Sequence, residues 1–82
     1  MDTSGLMHEL EITRRRIANK QSVGIEIATE IQTLRKQKTS GPKEKYSVWS
    51  KIAFKQKQLD EIKRVLEELE TKARRIEQTL EP

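Results

Sequence analysis

The sequence predicts an all-α protein: an antiparallel helical hairpin of the coiled-coil kind that assembles into a four-helix bundle or a larger helical oligomer. Two patterns carry that reading. Apolar residues recur at alternating spacings of three and four along both halves of the 82-residue chain. A single break, Thr39-Ser40-Gly41-Pro42, divides those halves, and Gly followed by Pro between periodic segments marks a turn. Composition agrees: 33% hydrophobic and 37% charged residues leave too little apolar material for a large enclosed core. Residues 1–82 therefore read as one module, with a helix over about 4–38, a turn at 39–41 and a helix over about 42–80.

The first arm follows a 4-3 frame through Leu6, Leu10, Thr13, Ile17, Lys20, Gly24, Ile27, Ile31 and Leu34. Asp2, Thr3 or Ser4 supplies a cap for its start. The ends of this stripe are apolar, whereas Thr13, Lys20 and Gly24 weaken its middle. Val23, Ile25, Ile27, Thr29 and Ile31 also alternate with a period of two, a strand signature. Helix is the better reading, because a strand here would have no second strand to pair with. Gly24 costs a helix about 1 kcal/mol relative to Ala and predicts a bend or a loosened turn.

The second arm has the cleaner seam. Val48, Ile52, Leu59, Ile62, Leu66, Leu69, Ala73, Ile76 and Leu80 hold the frame, with Lys55 in one of its positions and Ala73 as an expected thin spot. Pro42 suits the first helical position, where its missing N–H costs nothing. Glu44 then falls in the first turn, favourable against the helix dipole. Glu67, Glu68, Glu70, Lys72, Arg74, Arg75 and Glu77 read as a solvated face of mixed charge, Glu70 and Arg74 forming an i,i+4 pair. In one seam position Leu dominates and in the other Ile, which shifts the preference from lone pairs of helices towards larger bundles. Leu80-Glu81-Pro82 resembles a helix boundary, so the module reads as the N-terminal part of a longer protein.

Charge is unevenly spread. The chain carries +4 overall. Between Gln32 and Gln58, however, Arg35, Lys36, Lys38, Lys43, Lys45, Lys51, Lys55 and Lys57 face one acid, Glu44, so this segment alone carries +7. All three aromatic residues, Tyr46, Trp49 and Phe54, fall within it. Lysines pair with phosphates and rings stack on nucleobases, which is how single-stranded nucleic acid is held without sequence readout. Against that, Tyr46 and Trp49 are expected chiefly to plug the splayed end of the hairpin, since aromatic burial is worth more than exposure. Phe54, off the seam, is assigned to an intermolecular contact.

Little supports catalysis. His8 is the only histidine and lies near a terminus, without a sheltered partner. The chain has no cysteine, no glycine-rich phosphate loop and no converging ligand set, so no cofactor and no metal are expected. The N-terminus lacks the pattern of a secretory signal, and no apolar run approaches the roughly 20 residues of a membrane span, so an intracellular setting, cytoplasm or nucleus, is expected.

The functional expectation is a non-enzymatic coiled-coil module for oligomerisation or protein interaction. It would use Ile52, Leu59, Ile62, Leu66, Leu69, Ile76 and Phe54 against a second copy or partner helices. Its basic tip would contact RNA or DNA through Arg35, Lys36, Lys38, Lys43, Lys45, Lys51, Lys55, Lys57 and Trp49. The alternative is a small nucleic-acid-binding protein whose tip is its main site. A third reading, Val48 to Leu66 lying on an anionic bilayer, is the weakest, and membrane is not an expected partner.

Overall fold

The computed structural model describes residues 3–81, so Asp2, one of the candidate caps, lies outside the described residues. It contains two helices, α1 over Ser4–Lys36 and α2 over Pro42–Leu80, packed against each other as an antiparallel hairpin. The rod measures 66 × 15 × 14 Å, close to one long helix in length and two helices in width.

Each helix start and stop has a local cause. Thr3 is the N-cap of α1, with no side-chain capping bond, and its carbonyl accepts the Met7 N–H at 2.9 Å. The helix ends two residues earlier than the sequence suggests. Leu34 is the last seam residue of this arm, and beyond it no apolar side chain rewards another turn. Gln37 turns extended (ψ 128°), while Arg35 and Lys36 sit in the last turn, where cations suit the dipole. The connection therefore spans 37–41. Pro42 opens α2 as expected, behind an extended Gly41. Glu44 does more than meet a dipole: its Oε2 accepts both the Ser40 N–H (3.0 Å) and the Ser40 hydroxyl (2.5 Å), clasping the connection to the first turn of α2. The Ser40 hydroxyl first, and its N–H second, hold this carboxyl below the usual carboxylate range. A depressed pKa means the clasp is in force above that range and is lost as pH falls through the lowered value.

The segment that also reads as a strand, Val23 to Ile31, is helical throughout, and Gly24 does not interrupt α1. Backbone hydrogen bonds within one continuous helix satisfy every group there, which a lone strand could not do. A Cβ built on Gly24 would lie 3.6 Å from Ile62 Cγ2 and 3.8 Å from Leu59 Cδ1, ordinary contact distances. Gly24→Ala is therefore expected to stabilise the fold by about 1 kcal/mol, raising the melting temperature by roughly 4–8 °C. A lower melting temperature would mean that the helices cannot accept a methyl group between them.

The seam runs where the 3-4 spacing puts it, but it closes only at its ends. Away from the tip, Leu10, Ala73 and Ile76 are buried together, with Leu6, Ile17 and Leu80 packed round them. Ala73, an expected thin spot, is thus enclosed by larger neighbours. Thr13, an expected weakness, is the most enclosed of the described side chains at 1% exposure, and its hydroxyl donates to the Glu9 carbonyl at 2.8 Å, so this buried polar group is paired. Near the tip, Ile31 and Val48 are buried. Between these ends, no residue from Arg14 to Glu30 or from Trp49 to Lys72 is buried. Ile52, Leu59, Ile62, Leu66 and Leu69 stay half-covered; opposite Leu59 and Ile62 stands Gly24, which has no side chain to cover them.

Ion pairs lace the two helices. Arg14 pairs with Glu77 at 3.0 Å, Lys72 with Glu9 at 3.0 Å, and Lys55 with Glu30. Lys72 and Glu77 thus reach across to α1 instead of simply facing solvent. Among the described residues Glu70 and Arg74 form no ion pair; the i,i+3 and i,i+4 pairs formed within α2 are those of Arg64 with Glu61 and Glu68. The Arg64 guanidinium, hydrogen-bonded to Glu61, holds that carboxyl below its usual range. At these exposed positions such pairs set register and solubility more than stability.

Candidate functional site

Two surfaces remain after the hairpin has satisfied itself, and heptad spacing sorts them onto opposite sides of the rod. Trp49, Gln56, Lys63, Glu70 and Glu77 follow one another at intervals of seven, and Glu77 bridges to Arg14. The Arg14–Glu77 pair thus marks the side on which Trp49 stands. Val23 and Glu30 are likewise seven apart, as are Val65 and Lys72. The bridges Lys55–Glu30 and Lys72–Glu9 therefore mark the other side, along which Val23 and Val65 lie.

This second side mixes apolar residues with polar ones, since Arg16, Asn19, Gln58 and Glu61 share its rows by the same spacing of seven. Val23 and Phe54 are exposed, Phe54 at 63%, while Val65 is half-buried beside the open middle of the seam and Ile12 is half-buried at its closed end, between Leu10 and Thr13. Eleven residues separate Ile12 from Val23 and also Phe54 from Val65. Eleven residues make close to three full turns, so each pair shares a helix face. Met7 and Ile25 are exposed as well, on the Arg14 side, which carries the polar row from Gln56 to Glu77. Of the side chains assigned from sequence to an interface, Ile76 is enclosed within the hairpin, Ile52, Leu59, Ile62, Leu66 and Leu69 keep part of their surface free, and Phe54 is free.

The basic surface is the tip. Tyr46 is 73% and Trp49 62% exposed, so neither plugs the hairpin end, contrary to the expectation from burial energy. Val48 and Ile31 already fill that space, and at 3.6 residues per turn the positions of Tyr46 and Trp49 fall outside the seam. The Lys45 ammonium lies over the Trp49 ring, 5.2 Å from its centroid, within cation–π range. Arg35, Lys45 and Trp49 border one shallow hollow with Thr39, roofed on its inner side by Leu34, Val48 and Ile52. Lys36, Lys38, Lys43, Lys51 and Lys57 are exposed around the same end of the rod. Lys55 differs: it is half-buried in the seam and committed to Glu30. Its seam position in the sequence was the sign of that role.

Among the described residues, no three His, Cys, Asp or Glu side chains converge as a metal site, and no helix is long and apolar enough to cross a membrane. No protein-family model, no curated protein and no solved structure matches the chain.

Proposed function

We propose that this chain is a non-enzymatic assembly module, in which two hairpins pair over the Val23–Val65 side into a four-helix bundle. The observation that carries the reading is the open middle of the seam: α2 keeps Leu59, Ile62, Leu66 and Leu69 in succession there, and α1 leaves all four half-exposed. Burial stabilises by about 25 cal/mol per Å² of apolar surface, so a partner that closed this stretch would recover several kcal/mol. A face 66 Å long and 15 Å wide presents about 1,000 Å² per copy, enough for an interface of ordinary size, roughly 1,600 Å² in total. The test compares the solution mass of the parent chain with that of Phe54→Asp by light scattering behind size exclusion. The parent should give twice its 9.6 kDa and the variant 9.6 kDa; equal masses contradict the proposal.

A second reading is favoured by a separate observation, the exposed Trp49 ring under the Lys45 ammonium amid free lysines. The tip would bind single-stranded RNA or DNA, the bases contacting phosphates and Trp49 stacking on a nucleobase. Trp49 stands on the side of the rod away from Val23 and Val65, so pairing of hairpins would leave it free, and two tips in one particle would raise avidity.

A further inference from the structure

We infer that Thr39 is a phosphorylation site for a protein kinase that reads basic residues, and that its phosphate closes onto Arg35 and Lys45 at the tip. The site stands apart from the functions proposed above; its effect on the tip rests on the nucleic-acid reading. Of the described serines and threonines, only Thr3, Thr39 and Ser40 lie outside the helices. Thr3 follows Asp2, whereas Thr39 follows Arg35, Lys36 and Lys38, which stand four, three and one residues before it. Exposed connections are where a modifying enzyme gains access to a chain. Thr39 is exposed, and Gln37 before it is already extended. A kinase cleft takes its substrate as an extended strand, so only Arg35 and Lys36 have to leave α1. Both are exposed, beyond Leu34, the last seam residue of that arm. The neighbouring Ser40 hydroxyl is held by Glu44, and a phosphate there would face that carboxylate. The Thr39 hydroxyl has no hydrogen-bond partner among the described residues.

In the transfer the Thr39 oxygen attacks the γ-phosphorus of ATP, the hydroxyl proton passes to the kinase's aspartate, and ADP leaves. The product carries a charge of about −1.5 to −2 at pH 7 and three acceptor oxygens. Thr39 shares the rim of the tip hollow with Arg35 and Lys45, so both cations are in place to pair with that phosphate. Bonds between ionised partners are roughly twice as strong as neutral ones. The +7 of the segment from Gln32 to Gln58 falls to about +5. Arg35 and Lys45 are then withdrawn from the phosphates of a nucleic-acid strand, and the hollow beside Trp49 is filled. Phosphorylation of Thr39 thus switches the tip off.

The test treats the protein with magnesium ATP and, in turn, the catalytic domains of a cyclic-AMP-dependent kinase and of a protein kinase C, and maps the phosphate by fragmentation mass spectrometry. One phosphate on Thr39 is expected, absent from Thr39→Val and retained in Ser40→Ala. No incorporation by either kinase, or phosphate on Ser40 or on helical hydroxyls instead, overturns the site. Closure is read from the phosphorus resonance of the phosphothreonine as pH is varied. Its second pKa should lie below that of free phosphothreonine and rise again in Lys45→Gln, because a nearby cation favours the dianion. Glu44, the one acid of the segment, is committed to Ser40 in both proteins. Equal values in the two proteins overturn closure. Affinity for a single-stranded oligonucleotide should fall about tenfold or more on phosphorylation at about 50 mM salt, with a salt slope flatter by about 1.4 for two lost phosphate contacts. Unchanged affinity overturns the switch. An unmodified protein that binds no oligonucleotide defeats the nucleic-acid reading, and the switch with it, while the mapped phosphate still upholds the site.

Discussion

Phe54→Asp is expected to turn the paired hairpin into a monomer while leaving its helices intact. Phe54 is exposed in the single hairpin, so the substitution removes almost nothing that holds α1 to α2, and exposed substitutions of this kind usually cost no more than about 0.5 kcal/mol. In a pair the position is covered. Each copy then loses the burial of a ring, worth about 1.5–3 kcal/mol, and gains a carboxylate facing an apolar neighbour. Symmetry counts both losses twice, so the dissociation constant should weaken by about three orders of magnitude or more. Leu66→Asp would also break the assembly, but Leu66 is half-buried in the seam of its own hairpin, so helicity would fall with it. The informative outcome is a Phe54→Asp protein with the parent's circular dichroism and half its mass. A variant that keeps the doubled mass removes Phe54 from the interface.

Binding of single-stranded nucleic acid should collapse with salt and with the loss of one ring. If four phosphates are neutralised at the tip, the affinity falls about 50-fold between 50 and 200 mM salt, from a slope of about −0.7 per phosphate. Trp49→Ala removes a stacking platform worth about 1–3 kcal/mol, a loss of roughly 5- to 150-fold. Replacing Lys43, Lys45 and Lys51 together by Glu should abolish binding at all but the lowest salt. Trp49 is the only tryptophan, so its own fluorescence reports the contact directly, beside anisotropy of a labelled oligonucleotide. No binding at 50 mM salt, or binding that ignores Trp49, rejects the tip as a nucleic-acid site.

The seam was legible because burial in a two-helix rod follows one periodicity. Leu10, Ile31, Val48 and Ile76 are buried where the 3-4 spacing puts them, and the connection ends at Gly41, directly before Pro42 opens α2. What the spacing could not show was the degree of closure along the seam. Ala73 is enclosed and Leu66 is not, although Leu is the larger residue, because closure depends on what stands opposite across the hairpin. The tip was misjudged for a related reason. Tyr46 and Trp49 carry large burial energies, but their wheel positions lie outside a seam already filled by Val48, so position outweighed residue type. The cross-helix bridges of Arg14, Lys55 and Lys72 depend on register between distant segments, which neither segment encodes alone. Glu44 was placed correctly in its first turn, while its grip on Ser40 required the actual path of residues 37–41.

The central claim is that one hairpin cannot close its own seam, so that part of its stability belongs to a second copy. Thermal unfolding followed at helical wavelengths over a hundredfold range of protein concentration tests this most directly. A folded pair that melts to separate chains gains about 2.7 kcal/mol from that range by mass action, and its melting temperature should rise by roughly 10 °C. A melting temperature that stays the same at every concentration, in a fully helical protein, would contradict the account.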